Sequence, residues 1–217
     1  MHRGVTVRVL SYLSFACIIL LCSCTKRTGQ QQQWSAGDSL KIVTDIMAYR
    51  QSAEAFFRSN PQSPFNQENA ALFTGIKWYP PDIHFCFTSK LFRYAQPEHV
   101  TILGTKGDER NYIKYGYFTI PYNNEDYKIT VYKEVGSDVN RLSVWFTDET
   151  SGKETYDVGR YIDIEDEHGD PNYLYTIDFN KAYNPYCAYN HRYSCPIPPE
   201  ENNLPIKVLA GEKKWHD

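Results

Sequence analysis

Between Asp38 and Ser59 the apolar residues Val43, Ile46, Met47, Ala53, Phe56 and Phe57 recur at intervals of three and four, one face of an amphipathic helix. Asp38 and Ser39 are good caps for its start, and Asn60-Pro61 stops it. A second short helix is expected from Gln67 to Phe73, closed by Gly75. Beyond Gly75 the period changes from helical to alternating. Ile83, Phe85 and Phe87 alternate with His84, Cys86 and Thr88, and further segments run His99 to Leu103, Tyr112 to Ile120, Tyr127 to Tyr132 and Leu142 to Phe146. Between them stand turn sequences such as Lys106-Gly107-Asp108, Asn123-Asn124-Glu125-Asp126 and Glu167-His168-Gly169-Asp170. This spacing predicts a mainly β fold, an antiparallel sandwich or barrel-like sheet carrying an N-terminal amphipathic helix. From Tyr183 to Pro205 the prolines 185, 196, 198, 199 and 205 exclude a central strand, so a long ordered proline-rich loop is expected near the C-terminus, followed by a strand from Ile206 to Ala210.

The N-terminus follows a different pattern. His2, Arg3 and Arg8 precede an apolar run from Val9 to Leu21, which at roughly 13 residues is the length of a secretory core and too short to span a bilayer. Leu21-Cys22-Ser23-Cys24 resembles a bacterial lipobox, which makes residues 1–23 a lipoprotein signal peptide and Cys24 the lipidated first residue of the mature chain. Residues 24–37, with four consecutive glutamines at 30–33, read as a polar tether, and residues 38–217 as one β-rich domain. The acyl chains imply a membrane partner through the anchor. Thr25-Lys26-Arg27 stand where a surface-export signal would be acidic, so the expected location is the cell envelope, at the outer membrane facing the periplasm.

Composition narrows the function classes. The chain has 217 residues, 41% hydrophobic, with 23 basic and 26 acidic side chains and a net charge of -3, so no electrostatic footprint for nucleic acid is present. The sequence contains no His-Glu-x-x-His, no phosphate-cradling glycine loop, no Gly-x-Ser-x-Gly and no Cys-x-x-Cys, and no cofactor or metal is expected.

Two long runs carry a family resemblance. The first joins Phe146-Thr147-Asp148-Glu149-Thr150-Ser151-Gly152-Lys153-Glu154-Thr155-Tyr156 to Gly159-Arg160-Tyr161. The second runs from Ile177-Asp178-Phe179-Asn180 through Tyr183-Asn184-Pro185, Cys187-Ala188-Tyr189-Asn190, Tyr193-Ser194-Cys195-Pro196 and Pro198-Pro199-Glu200 to Ala210-Gly211-Glu212-Lys213. Together they resemble the bacterial domain of unknown function 1684 family, which implies kinship and no established reaction. Among the polar positions shared with that signature are Asp148, Thr150, Arg160, Asp178, Asn180, Asn184, Glu200, Asn202 and Glu212.

Three functional readings follow from those groups. In the first, Arg160 presents its fork to the anionic group of a small polar ligand, with Asp178, Asn180 and Asn184 completing a pocket. In the second, Asp178 and Glu200 serve as the carboxylate pair of a hydrolase-like enzyme. In the third, Arg160 pairs with Asp178 or Asp148, the asparagines cap loop backbone, and the chain is a structural or assembly lipoprotein without a ligand. Cys187 and Cys195 bracket seven residues and are candidates for a disulfide staple, with zinc held by Cys187, His191 and Cys195 or a nucleophilic cysteine as alternatives. Asp163, Glu165, Asp166, Glu167 and Asp170 read as a solvated acidic turn, and Tyr183, Tyr186, Tyr189 and Tyr193 either pack on proline or stack on sugars.

Overall fold

The computed structural model describes residues 1, 29, 32–65, 72–136 and 141–215. The expected signal peptide beyond Met1, Cys24, half of the tether and most of the helix expected at Gln67–Phe73 lie outside the described residues.

The periodic segment forms α1 (Ala36–Ser59). Its cap is Ser35, whose side chain accepts a hydrogen bond from the Asp38 N–H, so the helix starts ahead of the expected Asp38 and Ser39. Asp38 then sits in the first turn, where a negative charge suits the helix dipole. The chain enters the sheet through a 3-10 turn, Ile83–Phe85, capped by Asp82. The strands are β1 (Cys86–Lys90), β2 (Phe92–Leu103), β3 (Glu109–Tyr122), β4 (Glu125–Glu134), β5 (Leu142–Asp148), β6 (Arg160–Ile164), β7 (Leu174–Asp178) and β8 (Asn203–Leu204). The fold is mainly β. Six strands form one sheet in the order β2-β3-β4-β5-β6 with β8 parallel beside β5, and β1 and β7 pair as a second, two-stranded sheet. The sheets do not close into a barrel.

Local chemistry sets the register. Asn123 and Asn124 both adopt positive φ, at 51° and 64°, the mirror-image turn that matches strand twist in a two-residue hairpin, and β3 and β4 pair directly across it. Register slips between Lys114 and Gly116, and this bulge reverses which side chains face which way. Before it Tyr112 faces one side of the sheet; after it Phe118 and Ile120 face the other. Gly116 is required there, since a Cβ would stand 2.6 Å from the Phe92 carbonyl oxygen. The exposed edge strand β2 carries Pro97 at its own register shift, which blunts further pairing.

The bulge divides the apolar residues into two clusters. On one face, Phe118, Ile129, Val131, Leu142, Val144 and Phe146 pack against the small sheet through Phe87 and Ile177 and against Phe179 just beyond it. On the opposite face, Tyr112, Tyr132, Trp145 and Tyr161 pack beneath the 183–196 segment. A third cluster, around Phe57, Phe65 and Phe73, holds α1 against Tyr186, Tyr189 and Trp215. Of the expected helix face, Ile46 and Phe57 are buried, whereas Met47 is 53% exposed.

Sequence alternation missed the short strands β6 and β7 and expected one at Ile206–Ala210 that does not form. That last segment runs without a ladder and is held instead by the Arg160 side chain.

Candidate functional site

Helix α1 and the 183–196 segment meet over the tyrosine-lined face of the large sheet and leave between them a cavity of about 640 Å³. Tyr49, Ser52 and Phe56 come from α1, Tyr161 and Asp163 from β6, and Tyr183, Tyr186 and Cys195 from the segment. Tyr161 and Asp163 point here because they alternate with Ile162 and Ile164, which belong to the aliphatic face. The Tyr183 hydroxyl donates to Asp163 Oδ1 at 3.0 Å, and the Tyr161 hydroxyl donates to the Pro196 carbonyl.

Two guanidinium groups reach this space. Arg110 is engaged, donating from Nε to Asp108 at 2.9 Å and from Nη2 to the Ser194 carbonyl at 2.7 Å. Arg141, just ahead of β5, is exposed and has no ion-pair partner among the described residues. Glu212 forms part of the wall, and its carboxylate accepts from the Asn184 N–H at 2.8 Å and from the Tyr189 hydroxyl. Burial pushes the Glu212 carboxyl up to about 7 despite these hydrogen bonds and the nearby Arg160 charge. Burial also raises Tyr49, with the Glu212 charge adding to the effect. A carboxyl that changes protonation near neutrality, in a cleft lined by phenols, can donate or accept a proton there.

Glu212 reaches this position through a close backbone approach. Gly211 has φ 79°, a Cβ on it would lie 2.6 Å from the Ala182 carbonyl oxygen, and that same oxygen accepts the Glu212 N–H at 2.9 Å. Sequence reasoning placed Glu212 in the family signature without giving it a role. The signal that would have singled it out is a lone carboxylate directly after glycine at the end of an apolar segment.

The residues expected to bind ligand lie elsewhere. Arg160 is fully buried, and its guanidinium meets Asp148 Oδ2 at 2.6 Å and the main-chain carbonyls of Val208, Ala210 and Glu212. Both terminal nitrogens are therefore occupied by protein acceptors, while Nε has no hydrogen-bond partner among the described residues. Those carbonyls are two residues apart along the 206–212 segment, so the guanidinium stands where a neighbouring strand's N–H groups would. Asp178 caps the following 3-10 turn, accepting from the backbone and side chain of Asn180; burial raises its carboxyl, and these hydrogen bonds oppose the effect. Asn180 in turn bonds both the N–H and the C=O of Asp82 at 2.8 Å. Asn184 donates to the Lys213 carbonyl at 2.8 Å, while its buried side-chain oxygen has no hydrogen-bond partner among the described residues. Asn202 accepts from the Thr130 N–H at 2.7 Å and donates to the carbonyls of Thr130 and Trp145, bridging β4 and β5, which pair directly only at Tyr132 and Ser143.

The structure does not bring Asp178 and Glu200 together. Asp178 ends β7, whereas Glu200 is exposed on a 3-10 turn, Glu200–Asn202, lying against β4 and β5. Cys187 and Cys195 are adjacent but stand as free thiols, the Cys187 N–H donating to Cys195 Sγ at 3.3 Å. His191 is exposed, and no metal-binding cluster of His, Cys, Asp and Glu occurs among the described residues. Within the acidic turn Glu167 is not simply solvated; it pairs with Arg93, Lys133 and the Tyr115 hydroxyl, whose hydrogen bonds lower its carboxyl against the effect of burial.

Residues 71–213 match the family model described as Protein of unknown function (DUF1684). Among solved structures, the chain is similar to the solution NMR structure of the uncharacterized protein from gene locus rrnAC0354 of Haloarcula marismortui. The two are 30% identical, with a TM-score of 0.64 over 82% of this chain and 97% of that one. No curated protein matches the chain.

Proposed function

The chain belongs to the DUF1684 family of proteins of unknown function, and from that footing we propose that it is a cell-envelope lipoprotein that binds a small amphipathic anion. The cleft over the tyrosine face takes the ligand. Its aromatic or short aliphatic body lies against Tyr49, Phe56, Tyr161 and Tyr186, and its carboxylate or phosphate meets Arg141. The observation that carries this reading is the Arg141 guanidinium, without an ion-pair partner among the described residues, beside a cavity of about 640 Å³ whose walls include seven aromatic side chains. Calorimetric titration of the purified chain with phenyl phosphate, benzoate and hexanoate tests it. Saturable binding that weakens at least tenfold in Arg141→Ala is expected, since a charge-assisted hydrogen bond contributes roughly 1.5–3 kcal/mol. Absence of binding for all three, or equal binding by the variant, would overturn it.

An enzymatic reading draws on Glu212, a buried carboxyl held near neutrality on the same cleft wall. In that case Glu212 is the general acid or base of a hydrolase, in place of the Asp178 and Glu200 pair. Turnover of nitrophenyl esters that disappears in a folded Glu212→Gln variant is the expected signature, and unchanged turnover would discard it. The anchor is tested separately by metabolic labelling with a fatty acid: label should enter the chain and be lost in Cys24→Ala.

A further inference from the structure

The 183–196 segment carries two sulfurs in an asymmetric setting. Cys187 lies on a 3-10 turn, Tyr186–Ala188, and is half-buried, so small reagents can reach it. The Tyr156 hydroxyl donates to its Sγ at 3.7 Å. Cys195 is buried and held more firmly. Its N–H donates to Thr105 Oγ1 at 3.2 Å, its carbonyl accepts the Thr105 N–H at 3.0 Å, and the next residue, Pro196, bridges to Gly104. The Cys187 N–H donates to Cys195 Sγ at 3.3 Å, which holds the second sulfur against the backbone of the residue that carries the first. Cys195 also lines the cleft.

We propose that Cys187 and Cys195 are a thiol–disulfide exchange couple, with Cys187 as the attacking sulfur, Cys195 as the resolving sulfur and a low-molecular-weight disulfide as the oxidant. In the first step the Cys187 thiolate attacks one sulfur of the incoming disulfide. A Cys187–ligand mixed disulfide forms, and the other half leaves as a thiolate that takes up a proton. In the second step Cys195 loses its proton and attacks Cys187 Sγ, forming the Cys187–Cys195 bond and releasing the remaining half as a thiol. The protein dithiol is oxidised by two electrons and the disulfide is reduced to two thiols. The electrostatics favour this order. The hydrogen bond from Cys195, helped by those of Tyr156 and Thr105, pulls the Cys187 thiol down to about 6, whereas the same contact and burial push Cys195 up. Cys86, buried beside Asp178 and pushed up to about 12 mainly by burial, supplies an internal control. The inference is independent of Arg141 and of the anion-binding reading.

The test exposes the reduced full chain to oxidised glutathione at neutral pH and maps every cysteine by peptide mass spectrometry. The wild type should lose two mass units through a Cys187–Cys195 bond that dithiothreitol reopens. Cys195→Ser should accumulate glutathione on Cys187, and Cys187→Ser should accumulate none on Cys195. A parallel measurement needs no variant: brief iodoacetamide treatment of the wild type should alkylate Cys187 at least tenfold faster than Cys195 or Cys86. A wild type that stays reduced, a bond that resists dithiothreitol in the folded chain, or equal alkylation of the three thiols would overturn the proposal.

Discussion

The two faces of the large sheet are built from different side chains and behave as different materials. One is hydrocarbon, with Ile129, Val131, Val144 and Phe146 closed over by the small sheet, and where it buries a charge, at Arg160, the terminal guanidinium nitrogens are held by Asp148 and by main-chain carbonyls. The other is phenol and indole. Tyr132 stacks on Trp145 with ring centroids 5.4 Å apart, and Tyr112 meets the same indole edge-on at 4.8 Å. Hydrocarbon can be sealed completely. Tyrosines bring hydroxyls that need partners, so their face keeps a cleft, a buried carboxyl and two thiols within reach of one another.

The contrast yields predictions of decreasing size. Asp148→Ala strands the Arg160 guanidinium in the sealed face and should lower stability by about 3–5 kcal/mol, read from urea unfolding; a loss under 1 kcal/mol would mean the guanidinium is carried by the carbonyls alone. On the tyrosine face, Glu212 should make stability depend on pH. Its folded-state proton affinity lies near 7 against an ordinary 4.5, so its contribution is fully present below pH about 4.5 and is lost as pH rises through about 7. At about 1.4 kcal/mol per tenfold in proton affinity this amounts to about 3 kcal/mol. Asp178, also raised, adds a slope of the same sign, so the quantity to follow is the difference between wild type and Glu212→Gln across that range. Parallel curves for the two proteins would remove Glu212 from the account.

Asn202→Ala should cost about 1–3 kcal/mol by leaving the N–H and carbonyl of Thr130 and the carbonyl of Trp145 without their amide partner. The denaturant midpoint reports it. Arg141→Ala, at the open side, should change stability by no more than about 0.5 kcal/mol while weakening phenyl phosphate binding at least tenfold. If stability falls instead, Arg141 belongs to the scaffold and the contrast between the faces narrows.

Much of the architecture was legible in the residue pattern. The interval of Ile46 and Phe57 marked α1, the alternation through Leu142, Val144 and Phe146 marked β5, and Asn123-Asn124 marked the hairpin. The bulge at Lys114–Gly116 was not legible, because a one-residue slip leaves composition untouched while moving side chains to the opposite face. The site was less visible for a related reason. Arg160 advertises a partner of opposite charge, and it has one in Asp148, but three of its acceptors are carbonyls, which every residue carries and no sequence distinguishes. The Asp178 and Glu200 pairing came from residue type alone, and spatial separation dissolves it. Glu212 gains its chemistry from being buried, a property its neighbours in sequence only hint at.

The side chains that stand in for strand neighbours also set an order of events. Arg160 reaches Ala210 across 50 positions, Asn202 reaches Thr130 across 72, Asn180 reaches Asp82 across 98, and Asn190 reaches Pro64 across 126. A chain leaving the ribosome cannot make the Arg160 contacts until residues 208–212 have been synthesised, so β6 emerges well ahead of the segment its arginine holds, with Ala210 50 positions further on. Folding dominated by such distant contacts belongs to the millisecond-to-second class.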